Sequence, residues 1–438
     1  MNYYNKYLKY KNKYVFLKNQ VGGSSSGGGG GSSSASIDFI WFNNTDQITN
    51  SEEINILESS YLLEKDIMYK GLTYKRNEID FNSYESGPDK LYRKQIINID
   101  ENEQILFDLF KECILKYNVN LYIAGGWVRD KILGIPNDDI DISIDGNTGS
   151  DFARILYNHI KDTKTTWQCN NPNIIEANTE KSKHLETAKL NITIPNGYKF
   201  ELDFVGLDSE DTINPIIQDA KRRDLTMNSL VYNIKTSIIE DYIGGIIDIH
   251  KKIIRTPIDP LLTFTHDALR ILRAIRFRCK FNFNIETKTK EAMSNKIIHD
   301  ILKNKISRDR FSKEILGFFK KNCNPILGFI EIFEVGLWNI IFDSDKPESD
   351  ISWGQKSIEY LTQLPLEYIM TPPSKIELVF AMLTFPLAKK KANKSKEEAN
   401  TIINNILSDG LRLDTELKKR VNKIHDCIFN FIELKNKE

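Results

Sequence analysis

The run Gly125-Gly126-Trp127-Val128-Arg129-Asp130, followed shortly by Asp139-Ile140-Asp141, constrains this chain more than any other stretch. Two successive glycines allow a sharp backbone turn and let a ligand approach main-chain N–H groups with no Cβ in the way. From Asp139 the pattern Asp-Ile-Asp-Ile-Ser-Ile alternates strictly, which predicts a strand with Ile140, Ile142 and Ile144 in a core and Asp139, Asp141 and Ser143 outward. Carboxylates two positions apart on a strand share a face, as a metal site for nucleotidyl transfer requires. A solvated, charge-capped strand face has the same spacing. The glycine turn upstream favours the site, because with Arg129 a helical turn away it suits a triphosphate. Asp130, adjacent to Arg129, reads as a structural partner.

The surrounding pattern predicts an α+β fold, a mixed α/β head followed by all-helical segments. Ile105, Leu106, Leu109, Phe110, Cys113 and Ile114 recur at helical spacing between Asn102 and Tyr117, and Leu121-Tyr122-Ile123 reads as a short buried strand. Lys199 to Val205 alternates like the Asp139 strand, with Phe200, Leu202 and Phe204 inward and Glu201 and Asp203 outward. After Asp248 the character turns helical: Asp267 to Cys279 lacks Gly and Pro, and Ser312–Phe319 and Ile402–Ser408 follow suit. The expected divisions are a head over 92–233, a helical neck over 234–324 that selects the nucleotide, and a helical tail over 325–438. An extension over 38–91 precedes them. Residues 1–37 form a basic tail with Lys6, Lys9, Lys11, Lys13 and Lys18, then the Gly/Ser tract from Gly22 to Ser34, which has nothing with which to bury a core.

Lysine and arginine together number 60, as do aspartate and glutamate, so no global positive field exists and any nucleic-acid contact must be a local basic patch. A histone-like or coating protein is excluded. Five dispersed cysteines form no CxxC pair, which points away from zinc and disulfides and towards a reducing compartment. No apolar run approaches a membrane span, so a soluble protein is expected.

Two further blocks carry chemistry. Lys221-Arg222-Arg223-Asp224-Leu225-Thr226-Met227-Asn228 is either a basic helix start with a surface ion pair or a compact set of donors and acceptors for phosphate, ribose and base. In His266-Asp267-Ala268-Leu269-Arg270-Ile271-Leu272-Arg273-Ala274-Ile275-Arg276, residues Asp267, Arg270, Arg273 and Arg276 would trace a slow ribbon along one helix, since steps of three lag each turn by about 60°. A plain amphipathic helix predicts the same alternation. The sharper reading puts Asp267 and Arg270, at i and i+3, against one nucleobase edge. Asp only accepts and Arg only donates. Cytosine and adenine each offer an amine beside a ring acceptor and satisfy both. Uracil and guanine oppose like with like, at about 1–3 kcal/mol per unpaired group.

These three blocks, in this order, resemble the class II tRNA nucleotidyltransferases, the CCA-adding enzymes, and their relatives the bacterial-type poly(A) polymerases. Lys181-Ser182-Lys183-His184-Leu185-Glu186-Thr187-Ala188 is similar to a segment of the fungal-type enzymes. Asp241 to Asp248 with Ile254-Arg255, and Ile306-Ser307-Arg308-Asp309-Arg310, are similar to the family's head-to-neck connection and neck motif. The resemblance spans roughly Asn98 to Leu316. It implies a polymerase-beta-like nucleotidyltransferase head that adds CCA to the 3′ end of tRNA from CTP and ATP with two Mg²⁺ ions. Asp139 and Asp141 would hold metal, and Gly125, Gly126 and Arg129 the phosphates. Arg223, Asp224 and Asn228 would bind the nucleotide, Asp267 and Arg270 the base, and Arg273 and Arg276 sugar and phosphate. Glu186 and Asp203 both qualify as a third carboxylate. His266 stands where the family usually has an acid, which puts the bracing of Arg223 in question.

The competing expectations are poly(A) addition, addition of CC or A alone, and a non-catalytic RNA-binding protein. The family's poly(A) polymerases carry an arginine-rich segment where this chain has Ser182 to Ile194, which favours tRNA; the intact carboxylate pair speaks against a non-catalytic role. Lys389-Lys390-Lys391, with Lys394 and Lys396, is a tRNA-contact candidate or a solvated loop. No membrane and no protein partner are inferred. The Lys/Asn/Ile-rich composition and the opening segment resemble protein starts in giant viruses, implying the host cytoplasm. A mitochondrial transit peptide is the lesser reading, weakened by the absence of arginine.

Overall fold

The computed structural model describes residues 97–176, 186–207, 214–320, 322–342, 351–364, 375–392 and 403–435. It adds the backbone of four short strands ahead of them, β1 (Ile67–Tyr69), β2 (Leu72–Tyr74), β3 (Glu85–Gly87) and β4 (Lys90–Tyr92). The basic opening segment, the Gly/Ser tract, residues 181–185, Lys394 and Lys396 and the side chains of Lys389, Lys390 and Lys391 lie outside the described residues.

Helix α1 (Glu101–Tyr117) begins one residue before the expected Asn102. Asp100 caps it by accepting from the Glu103 N–H while the Glu103 carboxylate accepts from the Asp100 N–H. Then follow β5 (Asn120–Ala124), α2 (Gly126–Ile132) and β6 (Asp139–Asp145), which carry the opening motif in strand, turn, helix, strand order. Next come α3 (Gly149–Thr163), β7 (Gln168–Cys169), β8 (Asn173–Ile175), β9 (Thr187–Thr193), β10 (Lys199–Gly206) and α4 (Pro215–Arg222). After a 3₁₀ turn at Thr226–Asn228, β11 (Val231–Asn233) and β12 (Ile238–Asp241) complete a ten-stranded sheet of order β3-β4-β12-β11-β5-β6-β10-β9-β7, with β8 also on β9.

Within that sheet only β6 and β10 run parallel; each other pairing is antiparallel. The expected inward sets are buried: Ile140, Ile142 and Ile144 on β6, and Phe200, Leu202 and Phe204 on β10. The sheet runs past the head boundary expected at 233, because β12 returns as a hairpin on β11. That pairing joins residues by hydrogen bonds across a turn, which a change in composition does not reveal.

The helical part consists of α5 (Gly245–Lys251), α6 (Pro260–His266), α7 (Arg270–Phe281), α8 (Thr287–Met293), α9 (Lys296–Lys305), α10 (Arg308–Gly317), α11 (Pro325–Glu334), α12 (Trp338–Phe342), α13 (Ile351–Gln363), α14 (Lys375–Ala392) and α15 (Thr415–Lys435). A short parallel pair, β13 (Ile253–Ile254) and β14 (Asn284–Ile285), lies among them. The stretch expected as helix over Ile402–Ser408 is helical where described: residues 403–405 are α-helical and lead into a π-helical turn at Ile406–Gly410. The mixed head and helical remainder accord with the predicted fold class.

The chain forms two compact units. One holds the described residues of Ile48–Ala274 with Phe283–Ile298, and so the whole sheet; the other holds Ile275–Asn282 with the described residues of His299–Glu438. The second has its own aromatic core, in which Phe329 packs with Phe318, Phe342 and Phe380, and Trp338 with Trp353. Among the described residues no helix is long and apolar enough to cross a membrane, and all five cysteines are free thiols.

Candidate active site

Strand register builds the centre of the site. Asp141 of β6 lies opposite Asp203 of the parallel β10 and Ala124 of β5, while Asp139 lies opposite Glu201. Partners in register point to one face, so Val231, Ala124, Asp141, Asp203 and Lys189 form a row across five strands. Of the two candidates for a third carboxylate, Asp203 is the one beside the pair. Its two oxygens take Lys189 Nζ at 2.8 and 2.6 Å. Asp141 reaches solvent but is crowded by protein atoms. That desolvation, opposed by Arg223 and reinforced by Asp203 and Asp139, holds its pKa above the ordinary carboxylate range, with Lys189 pulling the other way.

Asp139 and Asp141 thus offer hard oxygen donors on an open face, the kind Mg²⁺ takes when substrate phosphates and waters complete its shell. Among the described residues no three or more His, Cys, Asp or Glu side chains converge as a metal cluster. Asp139 and Asp141 are the donors this face presents, and two carboxylates fit a metal shared with substrate.

The glycine turn sits at the end of β5. Gly125 has φ 73°, open to glycine at no steric cost, and its amide donates to the Leu230 carbonyl. Arg129, expected at the phosphates, is buried; its Nε donates to Asp130 at 2.7 Å and its Nη1 to Asn228. Asp130 also accepts from Asn137 Nδ2 at 3.0 Å, while Asn137 Oδ1 accepts from the Asp139 N–H at 2.9 Å. Arg129, Asp130 and Asn137 therefore tie the turn to the first carboxylate, with the Arg129 guanidinium turned into the protein.

The second block lies alongside. Arg223 donates Nε and Nη2 to one oxygen of Asp219 at 3.0 and 2.7 Å. This answers the question raised by His266, an exposed residue: the brace on Arg223 comes from α4, one turn earlier in its own segment. Burial opposes the Arg223 charge, but Asp219 and more distantly Asp141 and Asp224 raise its pKa. Asp224 accepts from Asn228 Nδ2 and the Leu225 N–H, both at 2.9 Å, and from Arg273 Nε at 2.7 Å. Expected as nucleotide ligands, Asp224 and Asn228 are here linked in one chain, Asp130–Arg129–Asn228–Asp224–Arg273, joining all three blocks.

The third block departs from its expected geometry. α7 starts at Arg270, and Asp267 lies in the preceding turn with φ −150°, where its Oδ1 accepts from the Leu269 N–H at 3.0 Å. Asp readily caps a helix start in this way, so the absence of Gly and Pro misplaced the boundary. Arg270 stays within electrostatic reach of Asp267 but donates to the carbonyl oxygens of Arg222 at 2.6 Å and Arg223 at 3.5 Å. Arg270, Arg273 and Arg276 follow at i, i+3 and i+6 of α7 as expected, but with different partners: Arg273 donates Nε to Asp224, and Arg276, in the second unit, donates Nε to Glu314 at 2.6 Å. Leu269, Leu272 and Ile275 are buried as expected.

Asn137, Lys189 and Asp219 escaped the sequence reading. Asp219 carried a usable signal, since it precedes Arg222 and Arg223 by three and four residues, the spacing of neighbours on a helix. Lys189 carried none, because its pairing depends on the β9–β10 register.

Known proteins resemble the chain over the same region. Residues 121–255 match the model of the poly A polymerase head domain. The tRNA nucleotidyltransferase cca1 of Schizosaccharomyces pombe is 35% identical over 287 residues, covering 62% of this chain and 56% of that protein. The mitochondrial CCA tRNA nucleotidyltransferase of Saccharomyces cerevisiae is 32% identical over 359 residues, covering 75% and 65%. The chain thus spans between half and two thirds of these relatives' lengths. Among solved structures, the Thermotoga maritima CCA-adding enzyme complexed with tRNA shares the fold, with a TM-score of 0.56, 21% identity and coverage of 77% of this chain and 73% of that one. Residues 121–255 thus match a poly(A) polymerase head domain, and the chain is similar to fungal CCA-adding enzymes and to bacterial poly(A) polymerases.

Proposed function

We propose that this chain extends the 3′ end of tRNA with CCA, taking CTP and ATP as substrates and using the protein in place of a nucleic-acid template. The observation that carries the reading is the meeting of Arg223 with both other parts of the site. Its Nη1 lies 2.9 Å from where a Gly125 Cβ would stand, and its charge is felt by Asp141. Glycine turn, cation and carboxylate pair thus adjoin.

Asp139 and Asp141 would hold Mg²⁺, which when bound lowers the pKa of the primer hydroxyl and steadies charge on the departing pyrophosphate. The chain's own residues orient the nucleotide. Arg223 faces the phosphates beside the Gly125 turn, and the fixed network behind it spares reorganisation during the reaction. Asp267 accepts from the exocyclic amine of cytosine or adenine, and Arg270 donates to the neighbouring ring nitrogen. The anchoring of Arg270 on Arg222 and Arg223 holds this base-reading pair next to the phosphate-side arginine. Work in the cytoplasm is the compartment proposed, with fractionation of tagged protein as its check.

A tRNA lacking CCA, incubated with Mg²⁺ and labelled CTP and ATP, should gain two cytidines and one adenosine. Absence of incorporation would sink the proposal, and long A tracts from ATP alone would select poly(A) addition. Asp139→Asn or Asp141→Asn should lower kcat by at least about 10³-fold, as loss of a central catalytic group does.

A further inference from the structure

We infer that Asp219 is the positioning residue that sets Arg223 over the Gly125 turn as a cation for the nucleotide's triphosphate. The inference rests on the nucleotidyltransferase reading of this site and adds to it a residue outside the three expected sets of ligands. Asp219 is 2 % exposed, at the last turn of α4. A buried carboxylate is unfavourable unless paired and hydrogen-bonded. Here one oxygen takes Nε and Nη2 of Arg223, and the other faces Nη2 of Arg222. Burial would raise the Asp219 pKa, but the two arginines reverse this and hold it below the ordinary range, so the carboxylate is charged at neutral pH.

The fork has a directional consequence. A guanidinium that turns Nε and Nη2 back to Asp219 presents Nη1 on its remaining side, and that atom lies against Gly125. The backbone is held as well, since Arg270 donates to the carbonyl oxygens of Arg222 and Arg223. Beneath, Ile216 and Ile217 of α4 pack with Ala124 and Val231, so the helix bearing Asp219 rests on the strand that leads into the turn. Arg223 is therefore fixed by its side chain, its main chain and its helix at one place between the glycine turn and Asp141. A triphosphate held at Asp141 through metal would have that guanidinium beside it, at the glycine turn. Arg222 shares the same carboxylate but its side chain is half exposed, so the positioned cation is Arg223.

Asp219→Asn keeps the volume and removes the charge. The KM for CTP and for ATP should rise about tenfold, roughly 1.4 kcal/mol, while kcat changes by less than about threefold. Direct binding of CTP with Mg²⁺ should weaken by the same factor, and binding of cytidine, followed by ligand-observed NMR, should not change. Asp219→Glu should recover part of the loss. If Asp219→Asn does not fold, Arg223→Lys, which keeps charge but loses the fork, carries the same expectation for CTP against cytidine. An unchanged KM in a folded variant, or equal weakening of CTP and cytidine, overturns the assignment. Wild-type protein that binds CTP yet adds nothing to tRNA would defeat the proposed function, while the CTP and cytidine comparison would still decide the role of Asp219.

Discussion

Asp224 accepts from Arg273, Asn228 and the Leu225 amide, and its pKa falls to about 2: burial raises it, but Arg273 and Asn228 outweigh that penalty. A depressed carboxylate pKa means that the unfolded chain binds the proton more tightly. The stability it confers is present above the ordinary range near 4 and is lost as pH falls through about 2. Its size is roughly 2 kcal/mol. Urea unfolding should therefore show Asp224→Asn less stable than wild type by about that amount at pH 7, with the gap narrowing from pH 4 downwards; a gap independent of pH would mean that the loss comes from packing. At this scale the residue types were legible in the sequence and their partners were not. Arg129, Asp224 and Asn228 are the polar groups a nucleotide site would use, yet three of their hydrogen bonds are spent on one another and on Asp130.

Elements place those residues. Helix α2, which carries Gly126, Arg129 and Asp130, is pinned to α1 through Glu103, which accepts from Lys131 Nζ at 2.6 Å and from Trp127 Nε1 at 3.0 Å. Both partners of the ion pair are buried, and burial lifts the Glu103 pKa despite Lys131. Removing one member strands the other, at about 3–5 kcal/mol. Lys131→Met should destabilise the protein by about that much in denaturant titration, and adding Glu103→Gln should return a large part; a double variant no better than the single would mean that the lysine acts through its methylenes. Strands β6 and β10 were legible because alternation with period two is written locally. The start of α7 was not: the Asp267 cap and the turn after it obey hydrogen-bond geometry that composition does not encode.

Across the whole molecule, 60 basic and 60 acidic residues leave no net positive field, so the proposed tRNA binding must rest on local clusters. The candidate is Lys389-Lys390-Lys391 near the end of α14, with Lys394 and Lys396 after it. Replacing the first three lysines with glutamine should weaken tRNA binding and flatten its salt dependence, by about 0.7–0.9 in log–log slope for each phosphate no longer neutralised. An unchanged slope would remove this cluster from the tRNA path. The predicted three-part division differs from the two compact units because β12 folds back on β11 and because α7 contributes Ile275–Asn282 to the second unit. The second event leaves no glycine, proline or charge run to mark it, whereas the end of β12 is followed by Gly244-Gly245.

By itself the sequence determined that Asp139 and Asp141 share one face, that a turn of two glycines precedes them, and that an α/β head gives way to helices. These follow from backbone periodicity and from the freedom of glycine, which act within a few residues. Tertiary structure alone decided that Asp203 rather than Glu186 stands beside the pair, that Arg129 meets Asn228, and that Arg273 meets Asp224. Each of those contacts joins residues far apart in the chain, and strand register and helix packing, not local propensity, choose the partner.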